Sequence, residues 1–334
     1  MDSKKILALV IVALVAVASV GIYVILTNNN EKDSLRVVYL NKGGYESMMV
    51  AEEKGFYNDL GFNVERLLVT GSGQNAVDAL LAGDADIAAT GEGPVINTLN
   101  TYMNDIVLLG SYTISIGGQE WVAQGDSSIG GSTPQAVADS MKGKVAGVIG
   151  GSSTESIFKR WCAAYNLEIG EGAEKLNLKT ITDGPALLEA FATKDIELLA
   201  ASQPYPSTAV TELGGKKVGS SADINANSLT MFVTTKEKYD ANKENMKAFV
   251  TAIYETTKYI NANKTECIQI CADRIGISVA EETTAFAGTT FKVSYNDVVI
   301  NTLFAAAQAK SFTNLTVAYL TAACPLKAYL DSLA

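Results

Sequence analysis

Two segments of the chain place glycines and hydroxyl side chains immediately ahead of an amphipathic run: Thr70-Gly71-Ser72-Gly73-Gln74-Asn75 and Gly150-Gly151-Ser152-Ser153-Thr154-Glu155. Each reads as the passage from a strand into a helix, where unpaired backbone N–H groups and the positive end of the helix dipole favour an anion. Serine and threonine are equally the residues that cap helices from within the chain. The recurrence of the arrangement, at Ser72, Gly73 and Gln74 and again at Ser152, Ser153 and Thr154, shifts the reading toward a clamp on a ligand. Thr90-Gly91-Glu92-Gly93-Pro94 is a third turn of this kind. Gly91 and Gly93 free its backbone, and Glu92 either sits at the positive helix end or pairs with a cationic group on a ligand. Gly71, Gly73 and Ala76 also match the G-x-G-x-x-A spacing of dinucleotide sites. They follow a second strand rather than a first, and the ribose acid expected about twenty positions on would be Glu92. A nicotinamide cofactor does not fit.

Two more turns follow apolar runs, Asn41-Lys42-Gly43-Gly44-Tyr45 and Gln203-Pro204-Tyr205-Pro206. With the three above they form a ring at strand carboxyl ends, where open α/β sheets bind ligands. Asn41, Gly44 and Gln203 are candidate polar contacts, and Tyr45 and Tyr205 could cover a ligand with apolar area while their hydroxyls find partners. The chain has no histidine, which removes Ser-His-Asp and Cys-His catalysis and histidine metal ligation. No carboxylate pair has the look of an acid and a base, and no cluster has metal-ligand spacing. The expectation is a binding protein with no catalytic residues, no metal and no cofactor. Acidic residues outnumber basic ones, 36 to 26, so there is no positive field to collect nucleic acid.

The elements that must hold these turns can be read from the periodicity of a 334-residue chain, long enough for two domains. Leu35 to Leu40, Val64 to Val69, Ile87 to Ala89 and Ile106 to Leu109 read as strands. Glu46 to Lys54, Asn75 to Ala82 and Pro94 to Asn100 read as the helices between them, so one parallel sheet with crossover helices is predicted. A Gly-, Ser- and Pro-rich stretch from Gly125 to Pro134 marks a boundary, after which strands at Val145 to Ile149, Leu178 to Ile181 and Leu198 to Ala200 alternate with helices again. Leu229 to Thr234 is a further strand, and the chain beyond it is helical. Those last helices cannot bury their faces alone and are expected to return to the first lobe. The predicted organisation is lobe one over residues 31–122, lobe two over 123–226, and completion of lobe one over 227–334.

Lys4 and Lys5 precede an apolar stretch from Ile6 to Leu26, long enough to span ~30 Å of hydrocarbon as a helix. Residues 1–30 therefore read as a membrane anchor, or as a cleaved signal segment. The positive-inside rule leaves the body on the outer face of the cytoplasmic membrane. The four cysteines, Cys162, Cys267, Cys271 and Cys324, would then meet an oxidising compartment; one or two disulfides and buried free thiols are both open.

Ala51-Glu52-Glu53-Lys54-Gly55-Phe56-Tyr57 ahead of Leu60-Gly61-Phe62-Asn63-Val64, then Ala79-Leu80-Leu81-Ala82-Gly83-Asp84-Ala85-Asp86-Ile87, Met141-Lys142-Gly143-Lys144-Val145 and Gly151-Ser152-Ser153-Thr154 occur in this order. In these pieces the chain resembles the nitrate, sulfonate and taurine branch of the substrate-binding proteins of ABC importers, a group that includes relatives binding thiamine-precursor pyrimidines. The likeness covers roughly Leu35 to Tyr295. It implies a two-lobed α/β periplasmic-binding-protein-like fold of type II, with two crossings between the lobes and closure on a small molecule at the hinge. It implies ligand contacts from the five turns named above and no catalysis. Taurine-binding relatives place an acid in the strand after the second crossing; Thr230 stands at the matching position here, which argues against taurine. The function expected is capture of a small anionic or zwitterionic solute by a monomer, for delivery to a permease and its ATPase. The alternative is an extracellular solute sensor signalling through a membrane partner.

Overall fold

The computed structural model describes residues 34–333. The anchor expected over residues 6–26 lies outside them, and among the described residues no helix is long and apolar enough to cross a membrane.

The chain opens with β1 (Ser34–Leu40), α1 (Glu46–Glu53), β2 (Asn63–Val69), α2 (Gly73–Ala82), β3 (Ile87–Gly91) and α3 (Glu92–Thr101). β1 is parallel to both β2 and β3. Its Val37, Val38 and Tyr39 are all buried, the near-continuous apolar run expected of a strand covered on both faces. The sheet is not wholly parallel, however. β4 (Ile106–Ile116) does not pair with β3; β10 (Asn227–Thr235) comes between them and runs antiparallel to both. β11 (Thr289–Ser294) then pairs antiparallel on the outer side of β4. The order is β11-β4-β10-β3-β1-β2. The sequence pattern implied crossover helices but held no sign that a distant strand would insert.

The second sheet has the order β7-β6-β8-β5-β9, built from β5 (Gln119–Ala123), β6 (Val145–Ile149), β7 (Asn177–Ile181), β8 (Leu198–Ser202) and β9 (Lys216–Ser220). Helices α4 (Pro134–Ser140), α5 (Ser153–Ala164), α6 (Gly184–Ala192) and α7 (Tyr205–Thr211) complete this lobe. The chain first passes between sheets at Gly117-Gly118, upstream of the break at 122/123 suggested by composition. The strand pattern read from the sequence omits β5, β9 and β11, although Gly117-Gly118 and Gly214-Gly215 mark turns directly ahead of the first two. The return passage lies between β9 and β10, where a 3-10 turn (Ser221–Ile224) intervenes. The two passages touch: the N–H of Gly117 donates to Oγ of Ser221 at 2.9 Å.

After β10 come α8 (Lys236–Ala241), α9 (Lys243–Ala262), α10 (Lys264–Ile275), α11 (Val279–Ala287), α12 (Asp297–Ala309), α13 (Val317–Ala322) and α14 (Lys327–Ser332). Met246, Phe249, Ile253 and Ile260 of α9 recur at helical spacing and enter the first lobe's core, where Phe249 packs edge-on to Phe232 of β10. Lobe two has a separate core in which Trp121 and Trp161 meet at 6.2 Å between ring centroids. The indole N–H of Trp161 donates to Asp223 at 3.0 Å, tying that core to the return passage. All four cysteines are buried free thiols.

Candidate ligand-binding site

The two lobes close on a cavity of about 100 Å³. Since ~10–15 Å³ of such space holds one water and drug-sized pockets begin near ~300 Å³, the enclosure suits a small solute. Its walls come from the carboxyl ends of β1, β3 and β4, the first residues of β10, and the turns after β6 and β8.

Glycine lets the lobes approach at two places. A Cβ on Gly43 would lie 3.1 Å from the carbonyl oxygen of Gln203, and one on Gly93 would lie 3.1 Å from the backbone of Ser152 and Ser153. Beside the second contact, the Gly93 N–H donates to Oγ of Ser153 at 3.2 Å. The turn after β1 thus meets the turn after β8, and the start of α3 meets the start of α5, with the cavity between.

Of the residues singled out in the sequence, Gly44, Tyr45 and Thr230 form one part of the wall, with Gly73 and Gly91 beside them. Ser152, Ser153, Thr154 and Gln203 face them from lobe two. The others stand elsewhere. Asn41 is exposed and donates to the carbonyl of Arg274 at 2.7 Å. Ser72 caps α2, accepting the Gln74 amide at 3.2 Å, while the Gln74 side chain bonds Asp78 on the surface. Tyr205 lies over Gly184, so close that a Cβ there would fall 1.8 Å from Cζ of the ring; it packs lobe two instead of covering a ligand. Glu92 is buried behind the wall, where Oε2 accepts the Leu229 amide at 3.0 Å and the Ser228 hydroxyl at 3.3 Å.

The paired helix starts are partly satisfied from within the chain. Ser152 accepts the Glu155 amide at 3.1 Å and Glu155 in turn accepts the Gly151 amide at 2.7 Å. This reciprocal cap engages those two donors and leaves the first-turn amides of Ser153 and Thr154 at the cavity wall. Gly151 has φ +71°, which a residue with a side chain adopts at a cost.

The sequence reading missed Glu46, Thr113, Ser115 and Gln119, all of which line the cavity. Thr113 and Ser115 alternate with Tyr112 and Ile114 along β4, a period-two signal that placed one hydroxyl face inward. Glu46 opens α1, where an acid is ordinary for the helix dipole, so its type drew no attention. Burial pushes the Glu46 carboxyl above the usual range against the lowering effect of the Gly44 amide, which donates to Oε1 at 2.9 Å. Burial likewise raises the Glu92 carboxyl, and the bonds from Leu229 and Ser228 oppose it. Lys42, also on the wall, is pushed down to about 8 by burial alone. Among the described residues no group of His, Cys, Asp and Glu is arranged to hold a metal ion.

The same fold is found in solved structures of low sequence identity. The alkanesulfonate-binding protein SsuA from Xanthomonas axonopodis pv. citri bound to MOPS superposes with a TM-score of 0.72 at 15% identity, over 89% of this chain and 99% of that one. The periplasmic aliphatic sulphonate binding protein SsuA from Escherichia coli gives 0.68 at 18%, over 84% and 92%. The periplasmic nitrate-binding protein NrtA from Synechocystis PCC 6803 gives 0.70 at 14%, over 91% and 86%. No curated protein sequence matches the chain. The NMT1-like family profile matches residues 28–276, which spans all of lobe one's first segment, all of lobe two, the strand that returns from it and the helices to the end of α10. By that match the chain belongs to the NMT1-like family.

Proposed function

We propose that the protein captures a small polar solute outside the cell and, by hinge closure, presents it to the permease of an ABC importer and its ATPase. The observation that carries this reading is the cavity itself, whose wall is shared between two lobes joined, among the described residues, by two passages. A site divided in this way binds fully only when the lobes meet, so a ligand shifts the population toward the closed form by its differential affinity for that form. The fold it shares with sulfonate- and nitrate-binding proteins supports the same reading. The polar lining, with two helix starts and Lys42, favours an anionic or zwitterionic molecule, and residues 6–26 serve as the anchor that keeps the body at the outer face of the membrane. No step of chemistry is assigned to the site.

The test is a thermal-shift and calorimetric screen of sulfonates, nitrate, bicarbonate, amino acids and pyrimidines against the full chain in detergent. At least one is expected to raise Tm and to compact the protein in small-angle scattering. If none does either, the capture reading fails. A solute sensor remains the alternative role for the same closure; reconstitution with the permease separates the two, since a sensor would not support uptake.

A further inference from the structure

Three carboxyl groups around the cavity lack partners for at least one oxygen. Oε2 of Glu46, Oε1 of Glu92 and both oxygens of Glu282 are buried and make no hydrogen bond among the described residues. Their residues are 1%, 1% and 0% exposed. No lysine or arginine forms a salt bridge with any of them among the described residues; Arg160 and Lys310 act on Glu92 only from a distance, and Arg274 is taken by Glu52. An unpaired buried carboxylate is costly, so such a group either keeps its proton or meets a donor.

The three differ in what holds them. Glu282, on α11, has no donor to either oxygen and adjoins Glu46 closely enough for the two charges to repel. Glu92 lies behind the wall with two donors already on Oε2. Glu46 alone lines the cavity: it opens α1, where the dipole favours the ionised form, and its Oε1 takes the Gly44 amide while Oε2 is left open. A neutral Glu282 beside an ionised Glu46 satisfies both environments, because like charges this close do not both ionise. Lys42 shares the wall but forms no salt bridge with a carboxylate among the described residues. When Glu46 is ionised, Oε2 has no donor among the described residues, so a positive charge that answers it comes with the ligand.

We propose that the solute carries a protonated nitrogen that donates to Oε2 of Glu46, making Glu46 the residue that selects amine-bearing solutes over simple anions. Its acidic group, if it has one, lies toward Lys42 and the first-turn amides of α5. The inference rests on the capture reading above and narrows it. An acid at the matching position of β10, where Thr230 stands, is then unnecessary, because α1 supplies the carboxylate from a different element.

Matched probes test it: β-alanine against propionate, 2-aminoethanesulfonate against ethanesulfonate, and 2-aminoethylphosphonate against ethylphosphonate. Each pair is titrated calorimetrically into wild type, Glu46→Gln and Glu46→Asp. The expected result is that in at least one pair the amine-bearing member binds 10- to 100-fold tighter than its partner. Glu46→Gln should abolish that difference, and Glu46→Asp should restore part of it, as loss of one charge-assisted bond predicts. Circular dichroism checks that both variants fold. If Glu46→Gln unfolds, the wild-type pair ratios together with Glu46→Asp still decide. Should the amine-free members bind as well as or better than the amines, capture stands and the proposal is overturned. If no probe and no simple anion or pyrimidine binds, capture itself fails and the proposal with it.

Discussion

The backbone N–H of Gly93 and the Oγ of Ser153 meet at 3.2 Å, joining the first turn of α3 in lobe one to the first residue of α5 in lobe two. The bond sits where both helices begin, so each lobe's helix start is steered by the other. Closure therefore depends on the absence of a side chain at position 93.

Gly93→Val should hold the lobes apart. The Cβ alone would press on the backbone of Ser152 and Ser153 at 3.1 Å, and a branched side chain adds atoms beyond it. We expect at least a tenfold loss of affinity for whatever ligand the screen identifies, and a larger radius of gyration with ligand present. Helix propensity favours Val over Gly, so the apo Tm should fall little. An unchanged affinity would show that this contact does not limit closure.

Tyr205→Phe should leave ligand affinity unaltered, because the ring packs on Gly184 and the residue does not line the cavity. Gly184→Ala should instead destabilise lobe two by roughly 1–3 kcal/mol, the usual range for overpacking, as the ring is forced to move. Chemical denaturation of the two variants, with calorimetry alongside, separates packing from binding.

Glu282 provides a pH signature. Burial, with Glu46 adding to it, pushes this carboxyl up to about 9 from an ordinary 4.5. Between those values the folded chain keeps a proton that the unfolded chain has released. This contribution is therefore fully present below the ordinary glutamate range and is lost as pH rises toward 9. Glu282→Gln removes the dependence. Denaturation at pH 5 and pH 8 should show the variant gaining on wild type by on the order of 4 kcal/mol at the higher pH. Parallel pH profiles for the two proteins would rule the effect out.

The four cysteines should be silent in the native protein. Burial pushes the thiols of Cys162 and Cys324 up to about 12 and that of Cys267 to about 11, and raises Cys271 as well. With so little thiolate at neutral pH and no exposed sulfur, a thiol reagent is expected to modify none of them at pH 7.5 and all four in guanidinium. Fewer than four under denaturing conditions, without reductant, would mean a disulfide forms in solution.

Much of the scaffold was legible from contiguous residues. The apolar run of β1, the capped turn into α2 and the helical stripe of Met246, Phe249 and Ile253 are each encoded within a few positions, by period and by turn chemistry. The five turns could be ranked as ligand-facing because strand-to-helix order alone puts them at strand carboxyl ends. What the sequence could not determine is which side chain of a turn faces inward, since that depends on partners far along the chain. Asn41 is drawn outward by the carbonyl of Arg274, and Tyr205 is held by Gly184. Insertion of β10 between β3 and β4, which brings Thr230 to the wall, likewise arises from pairing between distant segments. Glu46 shows the limit most clearly. By type and place it is an ordinary helix-start acid, and its burial is decided by elements far along the chain, among them α9 and α10, which pack on α1, because desolvation is a property of the surrounding volume and not of the residue's neighbours in sequence.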